Sequence, residues 1–392
     1  MNVCPISLRD LFAHPNPDLP ALPDSERRAG DGSFQRERSV PVLSLSGDHT
    51  EIGRQEGALL NDLVGPFLDH YMSSALGRNR TKWDDLEQRA VGCREFLPDR
   101  FLEEMTALAR ASGADSERPL HASVFLDFYS RVLCSCITVA RGASSNGRFM
   151  MGRNLDFPSM GVAQRYTLLK AIDPEDYYSH VHLTWPGLTG VLTGMNEHGL
   201  TIALSEVDGA EPFGLGLPYT LMQRRILEEC RTVDETEQLM RSVSRTRSNN
   251  LMVADESGEA VVFEYDRAGV TRRTSDDNWL YSTNHFISPS RHNQPISLKY
   301  VSAWRRYRLI ARAHRRNGRI SERELFELLE KLALGRLNLA AMILYPVEKK
   351  IDLRIGAPPA ARRRTRRLDL APYFEPKTTP EKHRIMGRTG NT

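Results

Sequence analysis

The stretch VLCSCITVARGASSNGRFMMGRNLDF, Val132 to Phe157, decides how the chain is read. Ahead of it the apolar residues recur with a period of about 3.6, and from Cys134 onward the period becomes 2, the change from helix to strand. CSCITVA and RFMMGRNLDF read as two strands around RGASSNG, whose Asn146-Gly147 step favours a hairpin. Two of the chain's five cysteines, Cys134 and Cys136, stand at the head of this hairpin, and Arg153, Asn154 and Asp156 close it.

Two cysteines at i and i+2 have three readings. They can be small apolar side chains on one face of a strand, the commonest fate of cysteine. As a metal half-site the spacing is poor, and no second Cys/His pair follows at a suitable distance, so no metal is expected. No motif calls for a cofactor. As a nucleophile, a thiol acts only when it becomes thiolate, which needs a base or a nearby cation. A histidine from elsewhere, such as His182, His198 or His285, can supply the base. So can cleavage of the bond before Cys134, because the new α-amino group, with a pKa of about 7.7, is a base attached to its own nucleophile.

The hairpin also makes a geometric expectation. A strict two-residue turn at Asn146-Gly147 puts Asp156 opposite Ile137, about 10 Å along the strand from Cys134. A wider loop closed by Gly142 and Arg148 brings Asp156 opposite Cys134, and this is the register expected. Arg153 and Asp156 differ in strand parity, so a bulge or strand end must intervene if both reach the cysteine.

Working outward, 392 residues with 40% apolar content can bury a large core. A net charge of +3 selects no partner class. No apolar run reaches the roughly 18 residues of a membrane span, and the first residues lack a basic segment followed by an apolar one, so a cytoplasmic location is the default expectation. Few, scattered and odd-numbered cysteines argue against a disulfide framework. Residues 1–38, rich in Pro, Asp and Arg, read as a flexible arm. Residues 39–133 read as mostly helical, from a strand at Val40 through one long helix after Thr50 and two more ending at Gly113. Residues 134–392 read as β-rich, hairpins alternating with helix pairs. That order implies antiparallel sheets covered by helix layers and not βαβ winding. The arginine run at 362–367 has no interleaved aromatics and reads as a solvated loop, so no nucleic-acid partner is expected; the lack of a spanning run leaves no membrane partner expected, and an oligomer is compatible with the sequence.

The hairpin resembles the nucleophile hairpin of the cysteine N-terminal nucleophile (Ntn) hydrolases of the choloylglycine hydrolase, penicillin acyltransferase and acid ceramidase kind. Those have Cys followed by Ser or Thr, an apolar strand, a turn ending in Gly, and Gly-Arg-Asn-x-Asp. Here these are Cys134-Ser135, ITVA, Asn146-Gly147 and Gly152 to Asp156; choosing Cys136 would put Ile137 at the hydroxyl position. LSGDHTEIGRQEGALL, GMNEHGLTIALSE, NLMVADESGEAVVFEY and YSTNHF are similar to further family segments in the same order, over about residues 40–375.

The resemblance implies an α+β, four-layer αββα sandwich cut between Leu133 and Cys134. It implies hydrolysis of a linear non-peptide amide, such as an N-acyl amino acid, through a thioester on Cys134. Acyl transfer through the same intermediate, with acyl-CoA as donor or an amine as acceptor, and a non-catalytic binding role are the alternatives. The implied roles are thiolate support for Arg153, a hold on the α-amine for Asp156, and oxyanion donation for Asn284. Ser135 follows the nucleophile, and Arg305 or Arg306 matches a segment bearing an active-site arginine. The sequence departs from choloylglycine hydrolases at Glu206, where they have an asparagine; a carboxylate there either points away or binds a basic group on the substrate. Asn196 reads as a turn residue of Asn-Glu-His-Gly.

Overall fold

The computed structural model describes residues 19–375 except 78, 130–132, 209–212, 276, 292–295 and 317. Among the described residues, ten strands form one sheet. Its order is β1 (Arg27–Ala29), β2 (Gly32–Glu37), β3 (Val40–Gly47), β6 (Leu168–Pro174), β7 (His180–Thr184), β8 (Thr193–Asn196), β9 (Thr201–Glu206), β10 (Asn249–Ala254), β11 (Ala260–Tyr265) and β12 (Val270–Arg273). Six strands form the second: β13 (Trp279–Ser282), β4 (Leu133–Val139), β5 (Met150–Asp156), β14 (Asn338–Tyr345), β15 (Lys350–Ile355) and β16 (Arg366–Asp369). The β3–β6 pair is parallel and its neighbours are antiparallel.

The helices are α1 (His49–Leu59), α2 (Val64–Leu76), α3 (Arg80–Arg94), α4 (Asp99–Ser112), α5 (Arg118–Tyr129), the short α6 (Ala163–Tyr166), α7 (Tyr219–Glu229), α8 (Val233–Ser242), α9 (Leu298–Arg316) and α10 (Glu322–Leu332). The sheets face each other where β4 packs on β9; α9 and α10 cover the outside of the second sheet, and α1, α7 and α8 that of the first. These are the four layers expected, αββα. Strands buried on both faces explain why β4 and β14 read as near-continuous apolar runs. Local signals set the helix ends: Gly113 adopts φ 67° after α4, and Ser321 with Glu324 forms a reciprocal capping box at α10. Gly53 in α1 lets that helix lie against α4, because a Cβ there would stand 2.1 Å from the Glu104 carbonyl oxygen.

Three expectations need correction. The sheet begins before Val40: β1 and β2 lie within the stretch read as an arm, and Phe34 is fully buried. The alternation there is masked by the charged residues of its outer side; residues 1–18 lie outside the described residues. The helix expected from Thr50 is two helices, with Asp48 as the N-cap of α1. α5, apolar nearly all round, is an additional helix between α4 and the hairpin.

The hairpin loop is wide, spanning residues 140–149, with a 3-10 turn at Arg141–Ala143 and Gly147 at φ 71°. Its register lies one residue beyond the one expected. Leu155 stands opposite Cys134, Arg153 opposite Cys136, and Asp156 opposite Leu133.

Candidate active site

Residues opposite one another on antiparallel strands share a face, so this register puts Arg153 on the face of Cys134 and Cys136 and Asp156 on the other. The Cys134 face looks into the space between the sheets. There Arg153 Nη2 donates to Cys134 Sγ at 3.3 Å while its Nη1 donates to the Leu192 carbonyl oxygen, which fixes the guanidinium against the first sheet. Cys136 Sγ lies 3.4 Å from Ser205 Oγ on β9. Cys134 is fully buried, and burial pushes its thiol up to about 11; Arg153 acts in the opposite direction.

Three groups converge on the backbone of Cys134. Its N–H donates to Asn284 Oδ1 at 2.9 Å, and its carbonyl oxygen accepts from Arg306 Nη1. Arg306 also donates to Ser135 Oγ at 3.0 Å and Asn284 Oδ1 at 2.7 Å. Asn284 Nδ2 in turn donates to the Glu206 carbonyl oxygen at 2.7 Å, tying the end of β9 to the head of β4. Asp156, the last residue of β5, sits where its partner strand bulges between Asn338 and Ala340. Asp156 Oδ1 accepts from Leu334 N–H at 3.2 Å and Asn338 Nδ2 at 2.9 Å, and Oδ2 has no partner among the described residues. Burial raises its carboxyl to about 6, with Arg306 pulling the other way. The strand end that parity demanded is therefore present.

The structure gathers Cys134, Ser135, Arg153, Asp156 and Asn284 at one strand head, and puts Arg305, Asn196 and the Glu206 carboxylate to other uses. Arg306 is the inward arginine of α9; Arg305 is exposed, because the helix presents only one of two adjacent residues to the sheet. Asn196 is a structural turn residue: its Oδ1 accepts from His198 and Leu200 N–H, and its Nδ2 donates to the carbonyls of Leu227 and Cys230. Glu206 is buried and its carboxylate is matched within the protein, by Lys299 Nζ at 2.8 Å and Arg247 Nη2 at 3.6 Å. Its neutralising cations lie 93 and 41 residues away in sequence, out of reach of motif reading. The histidines weighed as bases are engaged elsewhere. His285 Nδ1 bonds Thr283 Oγ1 and burial lowers it to about 4, His182 stacks on His180, and His198 faces Tyr178.

An apolar hollow lined by Phe67, Tyr71, Phe125, Phe157, Trp185 and Leu188 lies at the end of β5. The polar atoms of its rings are satisfied, Tyr71 Oη on the Pro158 carbonyl and Trp185 Nε1 on that of Ala163, so the hollow offers carbon surfaces. It is built from both sides of Cys134: α2 and α5 precede the cysteine and Phe157 follows it. A buried ion cluster joins the same two parts. Arg224 of α7 makes a bidentate pair with Glu104 of α4 at 2.6 and 2.7 Å and reaches Glu228 at 2.8 Å, while His49 of α1 bonds Glu104 at 2.8 Å. Lys170 of β6 binds Glu56 of α1 at 2.7 Å.

By structure, the chain is similar to a Caenorhabditis elegans ortholog of N-acylethanolamine-hydrolyzing acid amidase, at 18% identity and TM-score 0.40, over 55% of this chain and 93% of that one. It is similar to a mutant conjugated bile acid hydrolase from Clostridium perfringens at 11% identity and TM-score 0.42, over 66% of this chain and all of that one. With penicillin V acylase from Agrobacterium tumefaciens the identity is 12% and the TM-score 0.40, over 62% of this chain and 93% of that one. No curated protein matches by sequence. The family model described as acyl-coenzyme A:6-aminopenicillanic acid acyl-transferase matches residues 143–345, a span that holds Arg153, Asp156, Asn284 and Arg306 and begins nine residues after Cys134. Since that match takes in more than half of the 392 residues, the chain belongs to the acyl-coenzyme A:6-aminopenicillanic acid acyl-transferase family.

Proposed function

We infer that the protein hydrolyses a linear non-peptide amide, and that its nucleophile is Cys134, freed by cleavage of the Leu133–Cys134 bond. The observation that carries this reading is the pair of contacts on one residue: Arg153 on the Cys134 sulfur and Asn284 on the Cys134 nitrogen. A buried structural cysteine needs neither.

In the uncut chain Cys134 is buried and its thiol is held protonated. Self-cleavage begins when Sγ attacks the Leu133 carbonyl carbon. The C–S bond forms, the C–N bond breaks, and the thiol proton ends on the released nitrogen of Cys134. Water then hydrolyses the thioester, leaving a Leu133 carboxylate and a free thiol beside a free α-amine. That amine takes over the place of the N–H now on Asn284 Oδ1, with the unpartnered Asp156 Oδ2 on the adjacent strand end to hold it. It becomes the base for the next substrate. The carbonyl of that substrate is attacked in the same way, its amine leaves with the proton, and water clears the acyl group from sulfur. Arg153 stabilises the thiolate, and the carbon-lined hollow beside Phe157 suits an apolar acyl group. The domain reading follows: residues 1–133, including β1 and β2, and 134–392 form two chains of one body, held together by the Glu104–Arg224 and Glu56–Lys170 pairs.

Acyl transfer is the second reading, favoured by the family description. Mass spectrometry of the protein quenched during turnover of N-acyl amino acids tests both. A mass increase equal to the acyl group on Cys134, cleared by water alone, supports hydrolysis; one cleared only on adding an amine supports transfer. No adduct on Cys134 while substrate is consumed contradicts both.

A further inference from the structure

We propose that the outer face of α9 docks the protein on an anionic lipid surface. α9 buries Ala303, Arg306 and Ile310, and turns the opposite face to solvent. At its head that face is apolar: Ile296 is 84% exposed, Leu298 90%, Val301 55% and Trp304 43%. Isolated exposed apolar residues are ordinary, but among the described residues four of the six large exposed apolar side chains fall on these nine residues. Further along, the same face continues as Arg305, Arg308, Arg312, Arg315 and Arg316, at the spacing that keeps one side of a helix in line. Ion pairs in this part of the chain stop at Lys299 and resume at Glu322; among the described residues these five arginines make none.

An apolar tip followed by unpaired arginines is the pattern of a helix that lies in a lipid interface, and the unneutralised charge selects an anionic surface. Trp304, stacked with Tyr307 at 5.7 Å, suits the same boundary of carbon and water. The position matters for chemistry, since Arg306 on the inner face of the same helix holds the Cys134 carbonyl and Lys299 holds Glu206. Docking would put the head of β4 beside the leaflet, where long-chain amides reside. That last step rests on the function proposed above; docking does not. The sequence-based expectation of no membrane partner came from the lack of a spanning segment, and surface docking needs none: among the described residues no helix is long and apolar enough to cross a membrane.

The test uses the full chain with Cys134→Ala, so that binding is read without catalysis or cleavage, in flotation with phosphatidylcholine vesicles and with vesicles containing phosphatidylglycerol. Binding to the anionic vesicles alone, weakened by about 0.5 M salt, is expected. Arg308→Gln/Arg312→Gln/Arg315→Gln should weaken it by about fivefold for each charge removed. Leu298→Ser/Val301→Ser/Trp304→Ser should abolish the binding that survives high salt, with the circular dichroism of the parent protein retained in both variants. Absence of vesicle binding, or binding that neither variant alters, overturns the proposal. So does a dimer that the second variant splits while vesicles are ignored, which would make the face a contact between two copies. Preference for a nucleic acid over the anionic vesicles overturns it as well.

Discussion

Arg153 Nη2 stands 3.3 Å from Cys134 Sγ although its register partner across the ladder is Cys136. The guanidinium reaches diagonally along the strand pair, and its second nitrogen is anchored on the Leu192 carbonyl, just ahead of β8 of the other sheet. A cation held this way lowers a thiol that burial alone would raise. Arg153→Gln should therefore cut kcat/KM by at least about 10²-fold, and Arg153→Lys should restore part of it. The check is the pH profile: the rising limb that reports ionisation of the thiol should move to higher pH in Arg153→Gln, which a merely structural role for Arg153 does not require.

Asp156 trades stability for chemistry. Its carboxyl is raised to about 6 in the folded chain against about 3.9 when unfolded, so between those values the folded state binds the extra proton. Stability from this group is greatest below about pH 4 and is lost as pH rises through 6. Asp156→Asn keeps an oxygen for Leu334 and Asn338 and removes the buried charge. It should raise unfolding stability at pH 7 by about 1–2 kcal/mol, add nothing at pH 4, and abolish turnover. Denaturant melts at the two pH values decide; equal gains at both would remove the buried-charge account.

Glu104 links the part of the chain before Cys134 to the part after it. Burial would raise its carboxyl, but Arg224 and His49 outweigh that and hold it at about 2. Its stabilisation is present above the ordinary carboxylate range and is lost as pH falls toward 2. Glu104→Ala leaves the Arg224 guanidinium buried with Glu228 as its remaining carboxylate partner, and should cost about 3–5 kcal/mol. In a cleaved protein the same change should let the two chains separate on gel filtration at moderate denaturant, where the parent protein co-elutes.

Asn284 presents its oxygen to Cys134 N–H and its amide nitrogen to the Glu206 carbonyl. Asn284→Ala removes both and should slow cleavage and turnover by about 10²- to 10³-fold. Single-turnover rates of freshly refolded protein measure the first. A variant that cleaves at the parent rate would restrict Asn284 to a structural role.

Much of this site was legible in the sequence because its residues lie close together or in fixed order. The change of period at Cys134 marked the strand, and Cys134, Ser135, Arg153 and Asp156 fall within one hairpin. The wide loop was readable from the need to bring Asp156 near the strand head; the final one-residue step was not, because the 3-10 turn at Arg141–Ala143 sets it. Arg305 and Arg306 are equal in sequence, and only the packing of α9 on β4 and β13 chooses between them. Glu206 was open to two readings, pointing away or binding a basic group on the substrate, because its partner Lys299 comes from α9, far along the chain. β1 and β2 were missed because a hairpin with one solvated side and two short strands carries little apolar signal.

The central claim is that Cys134 becomes the N-terminal residue of its own chain. Intact-mass spectrometry of the purified protein beside Cys134→Ala and Cys136→Ala tests it most directly. The account predicts two fragments breaking at Leu133/Cys134 in the parent and in Cys136→Ala, and one uncut chain of 44.4 kDa in Cys134→Ala. An uncut mass in all three would contradict it, since the nucleophile would then lack the α-amine that serves as its base.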